Sequence, residues 1–455
     1  MLSVLIIITV PVFLGIIFVK PKWGSFLIWP ILFTYPHAWW FYRQFLPLNI
    51  GMDDLYCLSL FLIVLIRRNF LGGVRIRFGY AFWAVTAFTI IAVIANFTGS
   101  IDAAKAERAL YWKAIMKFGV YWCLFYAVLH CIDDIRDLRR QLAMFSVGAM
   151  AGGVIVILQN FFPQQMEVFA APIVLETVGV GFGARGSGAF MNPNTAACML
   201  GCSLMLVITA IRLQQITVSR TFIYTFIFVL LIAMLFTRSR AGFMAFGMAL
   251  LLMGIFGRGK KFAWVVITAA IVLVLILPEA RNLYIQRIKE TYDPSSGTWG
   301  ANVTGRVAMW KSYIRTTTVK DYLLGQGATR AAAKNAGESH SVYVSLLTIY
   351  GIGGVIWALI ALIIFLRKAF VLRHFPDPLV ASVGAGCIWA LIVWGIYSTS
   401  ADAISAQYPL YLLFYLVVLL DRAYIIAGEQ QEFLLYEQEA SLPMGYPLKA
   451  GVEIY

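Results

Sequence analysis

The stretch SHSVYVSLLTIYGIGGVIWALIALIIFLRK, residues 339–368, passes from a polar loop into a long apolar run and ends on a basic pair. Residues 342–366 carry no charge, and a helix of that length, rising 1.5 Å per residue, crosses roughly 30 Å of hydrocarbon. It reads as a membrane-spanning helix, with His340 just before its start and Arg367 and Lys368 at its far end.

The same pattern recurs in both directions along the chain. The 455 residues are 61% hydrophobic and 13% charged, a composition that excludes an ordinary soluble domain. Apolar runs fall near 3–19, 24–41, 51–66, 79–97, 115–132, 142–160, 191–211, 221–237, 241–257, 262–278, 342–366, 379–397 and 407–424. The short alternating segments of a membrane barrel are absent. The expected fold is an all-α polytopic membrane protein of about 12–13 transmembrane helices. Residues 1–424 form one transmembrane domain, its large loop at 279–341 holds short helices, and an acidic, poorly ordered tail covers 425–455. The first run lacks a basic segment before it and a small-residue cleavage site after it, so it reads as an anchor.

Basic residues orient the spans, because Lys and Arg in short loops stay on the inner side. Lys20/Lys22, Arg67/Arg68, Arg136/Arg139/Arg140, Arg258/Lys260/Lys261 and Arg367/Lys368 all follow odd-numbered spans. This places the loop 279–341, and the polar start of the opening stretch, on the outer side. The formal charge of +14 is largely this topology signal together with attraction to anionic membrane lipids. No aromatic and basic motif for nucleic acid accompanies it. Six cysteines lie in or beside spans with no CxxC pair, so neither a disulfide nor a zinc site is implied.

Position also sorts the chain's four histidines. His130 and His374 map to the inner side, and His37, in YPHAWW, belongs to an aromatic interfacial belt. Only His340 lies in an outer polar loop, where an imidazole can exchange protons near neutral pH or cap a helix. Arg185, Arg238, Arg240 and Arg306 share that side. Arginine near membrane depth is costly, so several on one face point to an anionic partner, and a guanidinium fork suits phosphate oxygens. Arg238 and Arg240 can equally snorkel in the hairpin between two spans. GFGARGSG contains G-x-G-x-x-G, but no strand precedes it and it faces outward, so a dinucleotide site is rejected. In the large loop, TGRVAMWKSYIRTTT (304–318) reads as a short helix capped by Thr304 with Arg306 and Trp310 on one face, and LLGQGATR (323–330) breaks it.

RGSGAFMNPNTAA (185–197), LLIAMLFTRSRAGFMAF (230–246), TGRVAMW (304–310), LLGQG (323–327) and SHSVYVSLLTIYGIGG (339–354) resemble, in order, the motifs of the bacterial O-antigen ligase/polymerase family, over about residues 180–365. The resemblance implies a C-type inverting glycosyltransferase of the bacterial inner membrane, needing no metal or cofactor, with its active site facing the periplasm. Its donor would be a glycan on undecaprenyl diphosphate, its acceptor a glycan, lipid A-core or protein. Carried over, His340 is the catalytic base. Arg185, Arg238, Arg240 and Arg306 bind the donor diphosphate, and Asn192, Asn194 and Tyr343 play supporting roles. His340 and Gly351 match the family's H-x10-G spacing, whereas Ser341 stands where asparagine commonly follows the histidine. The rival expectation is a multi-span transporter of an organic anion or lipid, whose pathway would also need outer cations. Against it stands the absence of an inverted sequence repeat.

Overall fold

The computed structural model describes residues 12, 14–34, 52–70, 78–101, 103, 105–163, 165–166, 186–190, 192–212, 220–257, 260–276, 292–293, 298–299, 301–327, 339–401, 403 and 407–440. The chain is an all-α polytopic membrane protein. Its helices are α1 (Pro21–Thr34), α2 (Met52–Phe70), α3 (Tyr80–Ile101), α4 (Lys105–Cys131) and α5 (Ile135–Phe161). There follow α6 (Pro193–Arg212), α7 (Arg220–Thr237), α8 (Arg240–Phe256) and α9 (Lys260–Ile276). The loop helices are α10 (Ala301–Thr316), α11 (Val319–Leu324) and α12 (Val342–Thr348), and the chain closes with α13 (Gly351–Leu372), α14 (Pro378–Tyr397) and α15 (Gln407–Ala440). Six of the described helices are long and apolar enough to cross a membrane, and four shorter apolar ones accompany them. A two-residue antiparallel ribbon pairs Tyr292 with Trp299 and Asp293 with Thr298.

Burial ranks the helices by position. In α15, 83% of the apolar window is buried, which makes it a central helix, whereas only 17% of α13's is, which leaves α13 facing lipid. α14 joins the halves by packing on α6, α8, α13 and α15. Close contact relies on small residues where helices touch, since lipid offers no hydrophobic drive for association. On α5, a Cβ at Gly148 would lie 2.8 Å from the Trp29 backbone, and one at Gly152 3.0 Å from Phe33. α1 therefore lies flush along that side, and its Trp29 stacks edge-on against Phe145 at 5.2 Å.

Three expectations are corrected. The run 342–366 is not one helix: it divides at Ile349 and Tyr350 into α12 and α13, with Gly351 in left-handed backbone at φ 69°. The cause is the glycine loop after α11, since Gly325 (φ 81°) packs so tightly that a Cβ there would sit 2.4 Å from Ile349 O. Gly327 N–H donates to the same Ile349 carbonyl at 3.2 Å. Thr304 lies inside α10, which begins at Ala301; the threonine that caps a helix is Thr318, in a reciprocal box with Asp321 at the start of α11. The tail expected to be poorly ordered from 425 is helical to Ala440. Residues 441–455, most of 279–300 and the loop 328–338 lie outside the described residues.

The bundle ends differ in chemistry. At one end two lysines are tied to acids: Lys22 bonds Asp133 at 2.9 Å and Asp137 at 2.5 Å, and Lys368 bonds the fully buried Asp421 at 3.0 Å. Asp421 also accepts the Ala81 N–H at 3.1 Å, and the Lys368 ammonium lies 4.0 Å above the Tyr424 ring. His130 is buried against Tyr126 at 4.1 Å, and His374 is exposed just after α13. His37 lies outside the described residues. Asp54 and Lys117 form a further ion pair between α2 and α4.

Candidate active site at one end of the bundle

The other end gathers the termini of α6, α7, α8, α12 and α14 around two short connections. Between α7 and α8 only Arg238 and Ser239 intervene. Ser239 is the N-cap of α8, its Oγ accepting the Gly242 N–H at 3.1 Å and donating to Asn194 Oδ1 at 2.8 Å. Asn194 in turn donates its backbone N–H to Asn192 Oδ1 at 2.8 Å in the first turn of α6. The N-termini of α6 and α8 are thus held together, and both direct the positive ends of their dipoles to this face. Arg238 and Arg240 flank the junction. Two arginines beside two helix N-termini are the kind of set that suits a phosphate.

A chain of contacts links this junction to His340. Thr195 Oγ1, next to Asn194, lies 3.4 Å from the hydroxyl of Tyr397, the last residue of α14. The next residue, Ser398, accepts the Val342 N–H at 3.0 Å, and Tyr343 donates its hydroxyl to Gly395 O at 3.0 Å. α12 is therefore docked on the end of α14 with His340 two residues before it. His340 is exposed, and the N-cap of α12 is Ser341, so the imidazole does not occupy the capping position. From the opposite side α10 reaches over: Trp310 Nε1–H donates to Ser339 O at 2.8 Å, and half-buried Arg306 lies one turn earlier on the same face.

Among the described residues only two without a glycine's freedom have positive φ, Arg238 at 52° and His340 at 51°. Both are residues singled out from sequence. Strained backbone persists where its surroundings over-determine it, and it concentrates at functional sites. Arg185 lies outside the described residues, while its neighbour Gly186 donates to Phe236 O at 3.0 Å, two residues before Arg238. Asn192, Asn194 and Tyr343 prove to be anchors of the frame: the asparagines bind the α6 and α8 junction, and Tyr343 pins α12. Ser239, Ser339 and Ser398 are parts of the frame that sequence reasoning did not find, and Trp310 was placed only on the face of Arg306. Trp310 carried the one usable signal, its spacing from Arg306. Among the described residues no group of three or more His, Cys, Asp or Glu could hold a metal ion.

Fold and site together define a multi-pass membrane protein with a cationic, histidine-bearing face at one end of its bundle. Residues 225–359 match the family model described as O-Antigen ligase. The match runs from within α7 into α13 and includes Arg238, Arg240, Arg306 and His340. A comparison with curated proteins finds no match.

Proposed function

We propose that the protein transfers a saccharide from undecaprenyl diphosphate to a sugar hydroxyl on the periplasmic face of a bacterial inner membrane, as an O-antigen ligase or a surface-polysaccharide polymerase. The observation that carries this reading is the left-handed backbone shared by Arg238 and His340 on one face, within the family match. In the step itself His340 removes the acceptor hydroxyl proton and the oxygen bonds to the donor's anomeric carbon with inversion. The bond from that carbon to the diphosphate oxygen breaks, and its electron pair leaves with the diphosphate. Arg238, Arg240 and Arg306, with Arg185, stabilise the charge that grows on the leaving group, an electrostatic contribution that is usually the largest in such transfers. The glycosyl–phosphate bond broken in this step supplies the energy.

The donor's polyprenyl chain needs an apolar path beside the arginines. An apolar groove of about 430 Å³ runs between α8 and α9, lined by Phe243, Phe246, Gly247, Leu250, Ile267 and Ile271. Arg240, Phe243, Gly247 and Leu251 recur at helical spacing, so the groove's stripe begins at a guanidinium and descends about 16 Å along α8. Charge at the head and carbon below match a lipid diphosphate.

The test replaces His340→Ala and Arg306→Gln separately in a strain lacking the native gene and examines polymer or ligated glycan on gels. We expect His340→Ala to lose about 100-fold or more of the product, as general-base losses do, and Arg306→Gln about tenfold or more. Full product from both, at normal protein levels, refutes the mechanism.

A further inference from the structure

His340 stands exposed between two buried neighbours, Ser339 (0% accessible) and Ser341 (3%). The Ser339 hydroxyl donates to Ser341 O at 3.0 Å, accepts the Ser341 N–H at 3.2 Å, and lies 2.6 Å from the hydroxyl of Ser345, itself fully buried. One side chain thereby ties both backbone polar groups of the residue after the histidine and closes the chain into a tight loop over it. The Ser339 carbonyl is held from outside by the Trp310 indole at 2.8 Å. Beyond the loop, Val342 N–H is fixed to Ser398 O at 3.0 Å. Every anchor in this turn belongs to a neighbour of His340, and the residue they leave exposed is the imidazole.

We infer that Ser339 and Trp310 are positioning residues for His340: the serine hydroxyl and the indole N–H hold the 339–341 backbone in the left-handed turn that presents the imidazole to the site. This rests on the reading of His340 as the base. The arrangement also ties the base to the donor side. Trp310 and Arg306 lie four residues apart on α10, so the bond from Trp310 to Ser339 sets the distance between the proposed base and a proposed diphosphate ligand. A displacement of about 1 Å at a reacting group can cost two orders of magnitude in rate.

The test uses the full chain with Trp310→Phe, which keeps an aromatic ring and deletes the donor, and Ser339→Ala, which deletes the hydroxyl. Two readouts are taken. One is glycan product on gels from the strain lacking the native gene. The other is the rate at which diethyl pyrocarbonate modifies His340 relative to His374 in the purified protein, followed by peptide mass spectrometry. His374 is exposed on the far side of α13 and serves as an internal reference, because general loosening would move both rates together. We expect both variants to change the His340-to-His374 ratio while losing about tenfold or more of the product. Should Ser339→Ala reduce the amount of protein, Trp310→Phe decides alone.

A change in only one readout, or in neither, while His340→Ala is inactive overturns the positioning role. If His340→Ala keeps full product, it is the base assignment that falls, and the ratio still decides whether the two residues hold the imidazole.

Discussion

Arg238 and His340 hold backbone angles that a Cβ disfavours by about 1–2 kcal/mol, and glycine at either position would escape that cost. The extra freedom of glycine in the unfolded chain offsets part of the gain, by about 0.4–1 kcal/mol. His340→Gly is therefore expected to leave thermal stability equal or higher by up to about 1.6 kcal/mol while product formation collapses, and Arg238→Gly to lose product as well. Unfolding of the detergent-purified variants by intrinsic fluorescence, beside gel assays, checks both halves. A clear loss of stability would show that the side chains serve packing instead. The choice of His340 as the candidate among four histidines was legible from spans and charges alone. Its backbone strain was not, because φ at 340 is set by Ser339, Ser345 and Trp310, and the last of these lies thirty residues earlier.

At the scale of elements, the long apolar run divides because of a contact that hydropathy does not register. Ile349, Tyr350 and Gly351 are as apolar as their flanks, and the break is made by Gly325 and Gly327 packing backbone against backbone. Thr318 and Asp321 form a capping box that sequence reasoning passed over in favour of Thr304, since both threonines precede helical residues. The groove between α8 and α9 belongs to this scale too. A Cβ at Gly247 meets nothing within 4 Å, so a large side chain there can fill the groove without disturbing the bundle. Gly247→Trp should weaken binding of undecaprenyl diphosphate about tenfold or more, the equivalent of losing two buried methylenes. Inorganic diphosphate, which has no chain to lay in the groove, should bind as to the unaltered protein. Equal loss for both ligands would move the chain's path elsewhere.

Across the whole molecule, the two ends carry opposite tasks. One end ties Lys22 and Lys368 to carboxylates, and the other joins two helix N-termini beside Arg238 and Arg240 and docks the turn that carries His340. Removing one partner of a buried ion pair leaves an uncompensated charge and costs about 3–5 kcal/mol, whereas replacing both by apolar residues can be nearly neutral. Asp421→Leu should accordingly reduce the melting temperature and the yield of extractable protein sharply, and Asp421→Leu combined with Lys368→Met should recover most of both. A double variant as unstable as the single one would mean that Asp421 acts chiefly through the Ala81 N–H. The pairing of Lys368 with Asp421 had no local signature, because the two residues lie fifty-three positions apart on different helices.

What the sequence determined by itself was the membrane-spanning architecture, the segregation of basic residues along the chain, and the choice of His340 and the arginines as candidates. Length and hydropathy bound a helix to the bilayer whatever its neighbours are. What only the tertiary structure decided was the junction of α6 with α8, the docking of α12 on α14, the division of the 342–366 run and the turn that presents His340. Each of these depends on hydrogen bonds or backbone approaches between residues distant in the chain, and no local pattern encodes such partners.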